Sequence, residues 1–331
     1  MTWDLIGHEW AVQLLRGHIV QNNLRHAYLI TGPSGVGKKN LAVRFIQAIN
    51  CPDPVKPGIP CRVCQTCQRI DRMEHPDLFP VKVEEDSTQI KIDQIRELIH
   101  LFSLTPYIAS RKIGLLLNFE HANSQAQNSL LKSLEEPPGN SIMILTATSA
   151  NSLLDTITSR CEEIKLNTVP ISITIEGLEQ IHGITEDKAN FLAHISGGKP
   201  EIALHYHQDT ASLELRDTLL NEHRQILQGS SVERFSYASK YGRDAQMVKK
   251  VIDTWSSLWH DIMLQSGKSR APIQNIDRSN EIDQIVNRVD LGTAQNTLNF
   301  FRRAHSLLLN NANLKLTFED LLLQLPRFEN L

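Results

Sequence analysis

Gly32-Pro33-Ser34-Gly35-Val36-Gly37-Lys38-Lys39 decides the fold of this chain. Before it stands the short β-rich run His26-Ala27-Tyr28-Leu29-Ile30-Thr31; after it the apolar residues Leu41, Ala42, Phe45, Ile46 and Ile49 recur at helical spacing. Strand, glycine-rich turn and helix are the context that gives G-x-x-x-x-G-K its meaning: backbone N–H groups and a helix N-terminus converge on a phosphate. The match holds through Lys38 and then breaks. The next residue should be Ser or Thr, whose hydroxyl ligates Mg²⁺, and it is Lys39. Gly32, Pro33, Gly35, Val36, Gly37, Lys38 and Lys39 are therefore the candidate nucleotide-binding residues. ATP or ADP is a conceivable ligand, and the missing hydroxyl argues against Mg²⁺. The competing reading is a strand–helix turn that holds no ligand.

Working outward, Phe79-Pro80-Val81-Lys82-Val83 reads as a strand, and Ile92 to Phe102 as an amphipathic helix. Lys112-Ile113-Gly114-Leu115-Leu116-Leu117 is a continuous apolar run, the signature of a parallel strand covered on both faces. In P-loop NTPases such a strand ends on an acidic residue that helps to hold Mg²⁺. Here it ends Asn118-Phe119-Glu120, so Asn118 offers no charge and Phe119 stands where a water-activating carboxylate would be wanted. Strand alternation turns Glu120 to the opposite face, and it reads as a solvated loop residue. Gln125 to Glu136 is a helix stopped by Pro137-Pro138, and Ser141 to Thr148 is another buried strand, with Thr146 or Thr148 as a candidate phosphate sensor.

Cys51, Cys61, Cys64 and Cys67 follow the pattern C-x9-C-x2-C-x2-C; Cys161 stands alone. Four thiolates close a tetrahedral Zn²⁺ site and leave no position for water, so the cluster reads as structural. An iron–sulfur centre also uses C-x2-C-x2-C, but here the fourth cysteine lies upstream and no Cys-Pro follows. Pro52, Pro54, Pro57, Gly58 and Pro60 suit a stiff excursion between the first two ligands.

The 331 residues are 41% apolar and 21% charged, with a net charge of −3. That is an ordinary soluble composition, with no global basic field to mark a nucleic-acid binder. No run of about 18 apolar residues exists to span a membrane, and the first ten residues do not form a signal peptide. A cytoplasmic setting is expected.

Taken together, His26-Ala27-Tyr28 before GPSGVGK, the four-cysteine insert, His75-Pro76-Asp77, Asn128-Ser129-Leu130-Leu131-Lys132-Ser133-Leu134-Glu135-Glu136-Pro137-Pro138 and Ser159-Arg160-Cys161 resemble the clamp-loader branch of the AAA+ ATPases, and within it the delta-prime subunits of bacterial DNA polymerase III. The resemblance is dense over residues 1–167 and thinner beyond, where Asn311 to Glu319 looks like the family's last collar helix. It implies an α/β P-loop AAA+ domain (parallel sheet flanked by helices, with a zinc insert) over 1–167 with the zinc module at 51–67. A small helical lid over 168–207 and an all-α C-terminal collar domain over 208–331 follow.

The resemblance further implies that Arg160 is an arginine finger acting in trans, where a guanidinium stabilises charge on a transferring phosphoryl group in the neighbouring subunit. The bland reading of Arg160 is an ion pair with Glu162 or Glu163. The implied partners are the gamma/tau and delta subunits in a five-subunit ring, the sliding clamp and primer–template DNA. With Lys39, Asn118 and Phe119 at the three departures, a weak or inactive ATPase is expected; the alternatives are an active gamma/tau-like motor and a stand-alone zinc-dependent DNA-binding module.

After the linker Thr168–Ile173, Ile175 to Tyr206 reads as helical, with Lys199 the nearest basic residue to the glycine turn where the family's motors carry a sensor arginine. Leu213–Leu227, Val232–Tyr241, Met247–Leu264, Ile282–Val289, Thr293–Asn310 and Phe318–Leu325 all show helical spacing, and Gly267–Arg278 is a loop. Trp255 and Trp259, four apart, read as core or subunit interface.

Overall fold

The computed structural model describes residues 3–84, 87–309 and 312–329. The expectations for Asn310 and Asn311 lie outside them. The elements run α1 (Glu9–Val20), β1 (Ala27–Thr31), α2 (Lys38–Asn50), α3 (Gln65–Asp71), β2 (Leu78–Val81), α4 (Ile92–Ser103), β3 (Lys112–Leu116), α5 (Ser124–Glu135), β4 (Ser141–Ala147), α6 (Asp155–Thr158), β5 (Glu162–Lys165) and α7 (Ile171–His182). Then follow α8 (Glu186–Ile195), α9 (Pro200–Gln208), α10 (Thr210–Gln228), α11 (Ser231–Tyr241), α12 (Ala245–Ser266), α13 (Ser279–Val286), α14 (Leu291–Leu309) and α15 (Leu314–Gln324). The chain divides into two units, Met1–Ala189 with Gly198–Ile202, and Asn190–Gly197 with Ala203–Leu331.

In the first unit the strands form one parallel sheet in the order β2-β3-β4-β1-β5. β1 is flanked on both sides, with Ala27 opposite Met143 in β4 and Tyr28 opposite Glu162 in β5. Every residue of β1, β3 and β4 is buried, as strands covered on both faces require. Alternation sorts the side chains between two cores. Tyr28, Ile30, Ile113, Leu115, Ile142 and Ile144 pack with Phe45 of α2 on one face. Ala27, Leu29, Leu116, Met143 and Leu145 pack with residues of α4 and α5 on the other. This is the α/β arrangement, a parallel sheet flanked by helices, that the sequence implies.

Among the differences from expectation, two bear on the site. The linker ends at Pro170, which caps α7, so helix begins at Ile171 rather than Ile175; proline pre-sets the backbone at a helix start and donates no N–H that the helix would need. The lead-in is also part of the core: Trp3 is 1% exposed, stacks on Phe45 and donates its indole N–H to the carbonyl of Gly58 at 2.9 Å.

The second unit is all helical. Trp255 and Trp259 are fully buried in its core with residues of α10 to α15. Their indole N–H groups donate to Leu219 O at 2.7 Å and to His223 Nε2 at 2.9 Å, so both are core residues. Arg216, 4% exposed, is neutralised by a bidentate pair to Asp277 at 2.8 and 2.9 Å. Arg234 donates to four backbone carbonyls, those of Ile226, Leu322, Leu325 and Pro326.

Candidate functional site

The loop after β1 is built by glycines in backbone conformations that other residues rarely adopt. Gly32 has φ 147°, and a Cβ there would lie 2.4 Å from Leu166 O. Gly37, at φ 107°, opens α2. His8 supports the loop from outside the motif, its Nε2 lying 3.0 Å from Val36 O. Burial lowers the His8 pKa, partly opposed by that carbonyl and by Glu9.

Lys38 is 6% exposed, and its ammonium donates to the loop's own carbonyls, Gly32 O at 2.6 Å and Pro33 O at 2.9 Å. Burial lowers its pKa; the carboxylates of Glu120 and then Glu201 push the other way. Pro33 and Lys39 are exposed, Gly35 is half-buried and Val36 is buried.

Glu120 is not the solvated residue expected. β3 ends at Leu116, and Asn118 takes the left-handed conformation (φ 50°, ψ 53°), so strand alternation no longer applies. Phe119 turns into the core, fully buried, and Glu120 turns back toward the loop. Its Oε1 accepts the N–H of Thr148 at 3.2 Å, while its buried Oε2 has no hydrogen-bond partner among the described residues. Asn118 is exposed and its backbone N–H donates to Thr146 Oγ1 at 2.9 Å. That bond gives the Thr146 hydroxyl a local partner.

A second carboxylate reaches the loop from far along the chain. The backbone N–H of Glu201, at the start of α9, donates to Gly35 O at 3.0 Å. A Cβ on Gly35 would come within 2.5 Å of Ile202 Cγ1. Burial raises the Glu201 pKa, opposed by Lys38, by the backbone N–H of Gly37, by Lys39 and by the backbone N–H of Asn40. Lys199, the sequence's candidate sensor, lies beside the loop, its Cβ 3.6 Å from where a Gly35 Cβ would stand.

The four cysteines converge. The Sγ atoms of Cys51, Cys61, Cys64 and Cys67 all lie within 4.8 Å of one another. Cys51 sits just past the end of α2 and Cys64 caps α3. Three backbone N–H groups point at sulfur: Cys61 N to Cys51 Sγ at 3.4 Å, Cys64 N to Cys61 Sγ at 3.3 Å, and Cys67 N to Cys64 Sγ at 3.4 Å. Such donors favour thiolate over thiol. The Cys51–Cys61 sulfur separation is 3.6 Å, too long for a disulfide and close to the roughly 3.8 Å edge of a tetrahedron with ~2.3 Å Zn–S bonds. The donor set fits a structural Zn²⁺ held by these four residues, which would tie the ends of α2 and α3 together. Cys161 is different: burial pushes its thiol up to about 12, which disfavours the nucleophilic thiolate.

Arg160 lies beyond α6 with its side chain 34% exposed. Its guanidinium donates to Glu135 Oε1 at 2.7 Å and to Thr156 O at 2.8 Å. The partner is neither Glu162, which faces Arg25 at 3.8 Å, nor Glu163, which accepts from Thr31 Oγ1 at 2.9 Å.

Residues 7–170 match the family model described as DNA polymerase III, delta subunit. That segment belongs to the DNA polymerase III delta-subunit family. Similar proteins include the DNA polymerase III subunit delta' of Pseudomonas aeruginosa, 36% identical over 186 residues, covering 55% of this chain and 56% of the relative. The delta' subunit of Bacillus subtilis is 33% identical over 192 residues, covering 57% and 56%. The gamma subunit of Buchnera aphidicola subsp. Schizaphis graminum is 30% identical over 233 residues, covering 69% and 59%. The matches thus span a little over half the length of these relatives. Within this family segment lie the phosphate loop, the cysteine cluster and Arg160; Glu201 lies outside it.

Proposed function

We propose that this chain is a clamp-loader subunit of a DNA polymerase III holoenzyme, one that turns over little or no ATP and presents Arg160 to the ATP site of a neighbouring motor subunit. The observation that carries the reading is the pairing of a disabled loop with an available arginine. Lys38 is occupied by the chain's own oxygens, Lys39 brings no metal-ligating hydroxyl, and Asn118 and Phe119 bring no carboxylate. Arg160, by contrast, is held at the surface by one exposed carboxylate and one backbone carbonyl.

In this reading the gamma/tau and delta subunits are the ring partners, and the assembly opens the sliding clamp and seats it on primer–template DNA. Residues 168–207 act as the helical lid and 208–331 as the collar that joins subunits. Zn²⁺ at Cys51, Cys61, Cys64 and Cys67 is structural. The gamma/tau-like motor is the second reading, supported by the similarity to gamma subunits and by Glu120 beside Lys38.

ATP hydrolysis separates the two. The purified chain alone is expected to show background turnover, and the reconstituted loader is expected to lose turnover when it carries Arg160→Ala. Robust ATPase by the isolated chain would sink the first reading, and a loader indifferent to Arg160→Ala would remove the finger.

A further inference from the structure

We propose that Glu201 is a built-in anion for the phosphate loop: its carboxylate occupies the anion-binding end of α2 and keeps the loop closed to nucleotide. This role holds whether or not Arg160 serves a neighbour.

Helix α2 needs an anion. Its first-turn N–H groups have no intrahelical acceptor, its cap residue is Gly37 with no side-chain hydrogen bond, and its first turn holds no acidic residue. The positive end of the helix is sharpened further by Lys38 and Lys39. In a working phosphate loop the nucleotide supplies the compensating charge. In this chain the start of α9 is held against the loop, the Glu201 N–H donating to Gly35 O at 3.0 Å, and Lys38, the backbone N–H of Gly37, Lys39 and the backbone N–H of Asn40 favour its carboxylate against the effect of burial. Asn40 is the third residue of α2, so the carboxylate addresses donors that a helix-capping side chain would ordinarily take.

The placement is enforced by backbone. Glu201 N–H is bonded to Gly35 O, within the loop itself. Ile202 lies where a Gly35 Cβ would be. Just upstream of α9, Gly198 has φ 69°, a Cβ there would meet Val169 O at 2.0 Å, and its own carbonyl accepts Val169 N–H at 2.8 Å. Glu201 is thus bonded to the loop on one side while its segment is tied to the end of the linker on the other. All these residues belong to one unit.

Lys38 completes the arrangement. Its ammonium is shared among Gly32 O, Pro33 O and the fields of Glu120 and Glu201. A nucleotide would have to displace a carboxylate from the helix end and draw the lysine off two carbonyls, bringing several negative charges against Glu120 and Glu201.

The test is equilibrium binding of a fluorescent ATP analogue to the full-length chain, with and without Mg²⁺, followed by anisotropy. Glu201→Gln keeps the shape and removes the charge; Glu201→Ala removes both. Each is expected to tighten binding at least tenfold over the native chain. Adding Lys38→Ala to Glu201→Gln is expected to return affinity to the native level. Exposed Glu176→Gln on α7 is the charge control and should change nothing. Thermal melting of each variant checks folding, and Glu201→Gln decides the matter if Glu201→Ala does not fold. A native chain that binds as tightly as Glu201→Gln would overturn the proposal. So would a folded Glu201→Gln that binds no better, or a gain that survives Lys38→Ala.

Discussion

The guanidinium of Arg160 lies 2.7 Å from the carboxylate of Glu135, which closes the helix running into Pro137-Pro138. Both side chains are substantially exposed, so the pair contributes less than about 1 kcal/mol to stability. It orients the arginine without locking it. Arg160→Ala should therefore shift the melting temperature of the isolated chain by no more than a degree or two, while ATP turnover at the site it serves in the reconstituted loader falls on the order of 10³-fold. Arg160→Lys should recover little of that, because a point ammonium lacks the planar two-pronged donor. A large loss of stability with unchanged turnover would assign Arg160 to the fold instead.

The cysteine cluster predicts a metal-dependent module. Cys64→Ser, or a strong chelator acting on the native chain, should release about one equivalent of zinc and loosen the excursion between α2 and α3. Because Trp3 donates to Gly58 within that excursion, its fluorescence should change on metal loss; Trp3→Phe isolates the signal by subtraction. Iron in place of zinc on elemental analysis, or no metal at all, would refute the assignment.

What the sequence makes legible is what is encoded locally. The strand–glycine–helix order around Gly32–Lys38 and the cysteine spacing each lie within a few turns of chain, and the two-faced burial of β3 shows in its apolar run. Glu120 is hidden because its direction depends on where β3 stops, and the left-handed turn at Asn118 discards the strand period. Glu201 is hidden for a different reason. It is brought to the loop by tertiary structure from more than 160 residues away, and the only local cue is the Gly197-Gly198-Lys199-Pro200 turn that starts its helix. The partner of Arg160 escapes a sequence reading because near neighbours such as Glu162 are committed elsewhere in the sheet.

His223 makes a pH prediction. It is completely buried beside Trp255, accepts the Trp259 indole N–H at Nε2 and leaves Nδ1 without a partner among the described residues. Burial, with Arg234 adding to it, lowers its pKa to about 3. The folded chain holds it neutral while the unfolded chain binds a proton below about 6.5, so its contribution is complete above that pH and is lost as pH falls from about 6.5 toward 3. By pH 5 the loss from this one residue is about 2 kcal/mol. Urea unfolding at pH 7.5, 6 and 5 should show the decline, and His223→Gln should flatten it. A native pH profile superimposing on that of His223→Gln would show that the ring is not held neutral.

Arg234 makes the sharpest stability prediction. Its guanidinium fans across Leu322 O at 2.8 Å, Leu325 O at 2.7 Å, Pro326 O at 2.9 Å and Ile226 O at 3.2 Å. The first three belong to the end of α15 and the residues just past it, where helix carbonyls lack partners and the dipole favours a cation. Arg234→Met preserves most of the packing and strips the donors, leaving buried carbonyls unsatisfied; the expected cost is about 2–4 kcal/mol. Arg234→Lys should recover only part of this, since one ammonium lacks the reach to replace a planar fork of donors. Hydrogen exchange should localise the damage, with amides of α15 exchanging faster and those of the sheet unchanged. Uniform acceleration across both units would instead mean that Arg234 supports the whole chain and not the end of one helix.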